Sequence, residues 1–196
     1  MRIIAVAVWL VCLLTLACRL GQPKGWPIAL AGPDEAVHLK VWVAVWSVQS
    51  IAVARLMIGR YGQPEEVHSD RMVWLDRWPW KRIVVSAEAS QTPLEQVVDY
   101  RVPEGKLRDL QRFSPNLRVD AEQRELSSSS DREDYNRLAL NLADDVVGGR
   151  LTPAQAKRFF EQTVRLSSAG KSSPYTKRLF FVTLPEEADP ARLERF

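Results

Sequence analysis

Thiols are almost absent from this chain: of its 196 residues only Cys12 and Cys18 are cysteine, and both precede Arg19. Everything after Arg19 therefore lacks the atoms for a disulfide framework, a thiolate nucleophile or a cysteine-ligated zinc ion. Histidine is equally scarce. His38 and His68 are the only two, so a histidine-rich metal site would have to use both, and they stand in unlike contexts. An excess of one charge is also missing: 27 Lys and Arg face 24 Asp and Glu, interleaved along the chain, for a formal charge of +3. Such a mixture builds no concentrated basic stripe, and no nucleic-acid partner is expected. Nor is there an internal repeat, or any low-complexity tract beyond Ser127 to Ser130.

What the chain does have is a marked beginning. Met1 and Arg2 form a short positive start, and the sixteen residues from Ile3 to Cys18 carry no charge. That matches the core of a signal peptide and falls just short of the roughly twenty residues a full span prefers. Three outcomes are open: cleavage after a small residue such as Ala17, retention as an anchor, or lipid attachment at Cys18, for which Thr15 and Leu16 fit the usual pattern poorly. Arg19 and Lys24 follow the segment much as Arg2 precedes it, so charge leaves orientation open, with the extracytoplasmic side the default. The expected address is a membrane or the exported compartment of a bacterial-type cell. Gly21, Pro23, Gly25, Pro27, Gly32 and Pro33 then interrupt any regular pattern and read as a linker.

A chain of 196 residues, 46% hydrophobic and 26% charged, can enclose one ordinary core or, at a stretch, two very small ones, and one domain plus a leader is the economical reading. From Val37 to Arg60 an apolar helix is expected, packed or interfacial. Only about fourteen residues there are free of charge, fewer than a second span would need. Gly62 and Pro64 stop this helix near Tyr61. Arg71 to Asp76 alternates and Lys81 to Ser86 is rich in β-branched residues, which predicts a hairpin with Met72 and Trp74 on one face. Further strands are expected at Gln96 to Val102 and Leu117 to Leu126, separated by a short helix through Leu107, Leu110 and Phe113.

Ser130 with Glu133 has the spacing of a capping box and predicts a helix ending at Gly148 and Gly149. Thr152 with Gln155, and Pro153 at the first helical position, predicts another. The two should form an αα-hairpin. A last strand is expected from Arg178 to Leu184. The resulting class is α+β: an N-terminal membrane-directed helix, then a small antiparallel sheet with packed helices including a C-terminal αα-hairpin. The divisions are a signal peptide or anchor at 1–20, a linker at 21–36, the α+β domain at 37–184 and a charged flexible tail at 185–196.

Chemical signatures are thin. The serines from Ser127 to Ser130 stand in neither a G-x-S-x-G elbow nor an S-x-x-K arrangement, and read as a strand end leading into a capped helix. Asp144 and Asp145, adjacent on a helix, diverge by about a hundred degrees and are expected on a solvated surface. Glu65, Glu66, His68 and Asp70 resemble a ligand cluster but lack zinc-motif spacing, so a polar loop is favoured. Trp78, Trp80, Lys81 and Arg82 form the candidate interaction surface, because aromatics beside cations stack on sugars, bases or partner side chains. No catalytic, cofactor-binding or metal-ligating residue is assigned, and no cofactor is expected.

The string Arg60-Tyr61-Gly62-Gln63-Pro64-Glu65-Glu66-Val67, then Trp74 and Pro79-Trp80-Lys81-Arg82, resembles an uncharacterised bacterial family of proteins with a similar leader. The likeness continues through the stretches 94–103 and 138–145. It implies a membrane-associated or exported protein and no particular activity. It also implies histidine where this chain has Leu75 and cysteine where it has Ser130, so chemistry at those two positions would not carry over. A looser likeness, at the level of fold alone, is to small outer-membrane assembly lipoproteins of the BamE type.

Together these readings lead to a noncatalytic envelope protein that attaches through its N-terminal segment and binds a protein or envelope polymer. The alternatives are a carboxylate-dependent envelope hydrolase, with Glu65, Glu66 or Asp70 beside Tyr61, and a two-span membrane protein using Val41 to Ile58. Oligomeric state is not specified.

Overall fold

A computed structural model describes residues 46–88 and 92–181. The leader, its two cysteines, the linker and the tail from 185 onward lie outside the described residues, as does the start of the expected 37–60 helix.

The first helix, α1, spans Val48–Tyr61. Ser47 starts it by accepting the amide of Ser50 on its side chain. Gly62 ends it at φ 82, a conformation that costs glycine little, with its amide bonded to the Ile58 carbonyl. Ser50, Val53, Ala54 and Met57 face inward. Just before the helix, the buried Trp46 donates its indole proton to the Ser69 carbonyl at 3.0 Å. Among the described residues no helix is long and apolar enough to cross a membrane.

Six strands follow: β1 at Glu66–Val67, β2 at Arg71–Arg77, β3 at Trp80–Ser86, β4 at Leu94–Asp99, β5 at Leu117–Asp120 and β6 at Glu125–Ser130. They form one antiparallel sheet in the order β1-β2-β3-β4-β6-β5. The expected hairpin is β2 and β3. The single strand expected from Leu117 to Leu126 is instead a second hairpin. Its chain turns at Asp120 to Arg124, where Asp120 accepts the Gln123 amide and Arg124 sits at φ 53. That turn carries no glycine, so nothing in the residue pattern announced it. β6 lies between β4 and β5, and the two-residue β1, in a segment expected to be a polar loop, adds an edge strand to the sheet.

The register lines Trp74 against Ile83, Ile83 against Gln96 and Gln96 against Ser128. This row defines the face on which the helices pack. Short α2 (Leu107–Phe113) contributes Leu110 and Phe113, α3 (Glu133–Val147) contributes Leu138 and Leu142, and α4 (Pro153–Ser168) contributes Ala156. The helix-capping prediction for α4 is met in full: Thr152 and Gln155 satisfy one another's backbone amides, with Pro153 opening the helix. The αα-hairpin is α3 and α4, turned at Gly148 and at Gly149 with φ 74.

The last expected strand does not form between 178 and 181, and its remaining residues are outside the described part. Asn141, buried on α3, occupies that backbone instead. Its amide donates to the carbonyls of Tyr175 at 3.0 Å and Arg178 at 2.8 Å, and its oxygen accepts the Phe180 amide at 2.9 Å. The Arg178 carbonyl and the Phe180 amide are thereby bonded to a side chain where a strand would bond to its neighbour.

Candidate functional site

Among the described residues, one cluster of polar and charged groups gathers where the end of α1, the start of β3 and the start of α3 meet. Glu133 is the first residue of α3, yet Ser130 does not cap that helix. The Ser130 hydroxyl accepts the Arg132 amide and donates to the Arg132 carbonyl, closing a tight local turn. The Glu133 side chain turns inward and is 5% exposed. Its carboxylate accepts from the Tyr61 hydroxyl, the Arg60 and Arg137 guanidiniums and, at 2.9 Å, the indole of Trp80. Trp80 also lies 2.9 Å from the Tyr61 oxygen, and Arg137 sits over its ring.

A lone buried carboxylate would be costly, but here two cations and two neutral donors meet it. Burial and the hydrogen bond to Glu133 push the Tyr61 hydroxyl up to about 12, so it stays a phenol and acts as a donor. A half-open cleft of about 210 Å³ borders this cluster, lined among others by Val53, Leu56, Met57, Arg60 and Glu133.

A second cluster closes the other end of α3. Asp145 is buried and Asp144 is partly buried, which overturns the expectation of a solvated pair. Helical geometry does separate their side chains, but Arg150 folds back from the glycine turn and grips both. Tyr100 donates to Asp144 at 2.6 Å and Tyr175 to Asp145 at 2.9 Å. Hydrogen bonds to Asp145, then Asp144, hold the Arg150 pKa above its ordinary value. Burial, then the hydrogen bond to the neighbouring aspartate, raises both tyrosines.

The third cluster lies on the sheet face turned away from the helices. Arg82 on β3 reaches across β4 to Glu125 on β6, with an N to O distance of 2.8 Å. Lys81 meets Glu125 at 3.1 Å and Asp99 at 2.9 Å. Lys81 and Arg82 are consecutive yet point the same way. The alternation slips between Trp80 and Ile83, which are both buried, opposite Asp76 at φ 50. Val97 on that same face is 1% exposed, consistent with the long side chains lying over it. Burial opposes ionisation of Glu125, but hydrogen bonds from Arg82 and Lys81 outweigh it and hold its pKa below the ordinary carboxylate value.

The residues singled out in the sequence are thus dispersed. Trp80 is 1% exposed and belongs to the Glu133 cluster, Lys81 and Arg82 belong to the Glu125 cluster, and Trp78 at the hairpin tip is 50% exposed. Glu65 accepts the Leu75 amide at 2.9 Å and pairs with Arg77, while Glu66 meets His68 at 3.1 Å and Asp70 meets Arg71 at 3.0 Å. Among the described residues no group of three or more His, Cys, Asp or Glu is placed to hold a metal ion. Glu133 itself was hidden by a spacing that also signals a cap. Its one distinguishing sign was Arg137, four residues on. Comparison with protein-family models, with curated proteins and with solved structures finds no match.

Proposed function

We propose that this chain is a noncatalytic envelope protein, held at or carried across a membrane by its N-terminal segment, whose α+β body binds another protein or an envelope polymer. The observation that carries this reading is Trp78, a large aromatic left half exposed at the tip of a hairpin whose neighbouring residues are fixed. Trp80, two residues on, is buried and bonded to Glu133, Arg77 is tied to the Tyr61 carbonyl and to Glu65, and Lys81 and Arg82 are tied to Glu125. An aromatic on a rigid support loses little side-chain freedom when a partner covers it, which suits an anchor residue of an interface.

Support against catalysis comes from how the buried acids are used. Glu125, Glu133 and Asp145 each have an arginine partner within reach, whereas a general acid or base needs a proton it can exchange with substrate. The hydrolase alternative has no comparable support, since Glu65 is tied to Arg77, and Glu66 and Asp70 lie exposed.

The test is a photoreactive amino acid at position 78 in the full-length protein, activated in native membranes, with position 157 on α4 as control. A discrete adduct at 78, absent at 157 and competed away by unlabelled protein but not by its Trp78→Ala variant, is expected. Equal, diffuse labelling at both positions would overturn the role given to the hairpin tip.

A further inference from the structure

One face of α1 has no partner among the described elements. Its inner residues Ser50, Val53, Ala54 and Met57 enter the core, whereas Val48, Ala52 and Leu56, each one turn from the next, point outward. Val48 is 86% exposed and Leu56 66%. These aliphatic side chains line one exposed stripe of a helix already anchored by its other side.

The charges on the helix narrow the choice. The fourteen residues of α1 include Arg55 and Arg60 and no Asp or Glu. Arg60 is partly committed to Glu133, but it remains half exposed beside Leu56 at the rim of the cleft. On the far wall of that cleft stand Asp131 and Asp134, the latter paired with Arg132 and Arg137. The outward face of the helix itself is therefore apolar with a positive flank. An interfacial helix that rests on anionic lipid needs aliphatic side chains and cations and no acid, which is the set this helix carries. The uncharged run from Ile3 to Cys18 ends thirty residues before Val48, so a chain attached through it keeps α1 near the same bilayer, where a weak second contact acts at high effective concentration.

We propose that the outer face of α1, through Val48, Ala52, Leu56 and Arg55, rests on an anionic phospholipid surface and so fixes how the body is presented on the membrane. This rests on the membrane attachment proposed above and adds a second, composition-dependent contact. It directs the remaining surface, the Trp78 hairpin included, by holding one side of the body down.

The experiment uses the full-length chain bound to vesicles, with a diazirine-bearing amino acid at position 52 and, separately, at position 157 on α4. Vesicles of phosphatidylethanolamine with phosphatidylglycerol are compared with phosphatidylcholine alone, and lipid adducts are counted by mass. Position 52 should give lipid adducts in the anionic vesicles, reduced on the order of fivefold in the neutral ones, and position 157 should give few in either. Arg55→Glu should lower the adducts at 52 by at least the same factor while flotation persists. Flotation with position 52 no better labelled than 157, or labelled by protein instead of lipid, overturns this inference and leaves attachment standing. Failure of the chain to float with either vesicle overturns both.

Discussion

The indole nitrogen of Trp80 lies 2.9 Å from the Glu133 carboxylate, so the hairpin and the start of α3 share one buried charge. Glu133 also holds Tyr61, Arg60 and Arg137, which makes it the point where α1, β3 and α3 are registered on one another. Glu133→Ala would leave a buried guanidinium and two neutral donors without their acceptor, and should cost about 3–5 kcal/mol. Urea denaturation checks this, and Glu133→Gln, which keeps an acceptor but no charge, should cost less. A double-mutant cycle with Tyr61→Phe should show coupling on the order of 1 kcal/mol, because neighbours in one network are not additive.

Acid should weaken the reverse face of the sheet through Glu125. Its folded pKa lies below the ordinary value of 4.5, so across that interval the native state binds fewer protons than the unfolded chain. The contribution is complete above the unfolded value and is lost as pH falls through the folded one. Stability measured by urea midpoints between about pH 3 and pH 6 should drop less steeply in Glu125→Gln than in the parent. Because Lys81 and Arg82 are each about a third exposed, the difference should be roughly 1 kcal/mol or less and should shrink in high salt.

Replacing Asn141 tests how the C-terminal segment is held. Asn141→Leu removes the donor of two carbonyls and the acceptor of one amide, and should cost about 2–3 kcal/mol. Hydrogen exchange at the Phe180 amide should accelerate well before α3 and α4 lose protection.

The two tryptophans of the hairpin should behave oppositely. Trp80→Ala empties a buried site and breaks the link to Glu133, costing about 3–5 kcal/mol. Trp78→Ala should change thermal stability by no more than about 0.5 kcal/mol. If Trp78→Ala instead destabilises strongly, that residue is part of the core and no longer a candidate contact.

Much of the frame was legible because the signals were local. Gly62 stops α1 through its own backbone freedom, and Thr152 caps α4 through a hydroxyl three residues from Gln155, so neither depends on distant chain. Thr152→Ala should accordingly cost about 1 kcal/mol. Ser130 and Glu133 have the same spacing, but Tyr61, Trp80 and Arg137 outcompete the local bond for that carboxylate. The burial of Asp144 and Asp145 is not legible in the sequence, because a helical wheel fixes their directions without the arginine that returns to them across the glycine turn. The β5–β6 turn was illegible because Arg124 adopts a positive φ without the glycine that usually reports one. The Glu133 and Asp145 clusters each combine one arginine near in sequence, Arg137 or Arg150, with hydroxyls from distant elements, and the Glu125 cluster draws both its cations from β3, which sequence spacing does not bring beside β6.

A membrane-directed N-terminal segment is the premise of the proposed function, and its retention that of the α1 contact; fractionation of cells making the full-length chain tests the first most directly. The chain is expected in the membrane pellet after a high-salt wash, or shortened at its N-terminus in the exported compartment. Recovery of the whole polypeptide in the soluble cytoplasmic fraction, its first eighteen residues intact by mass, would contradict the account.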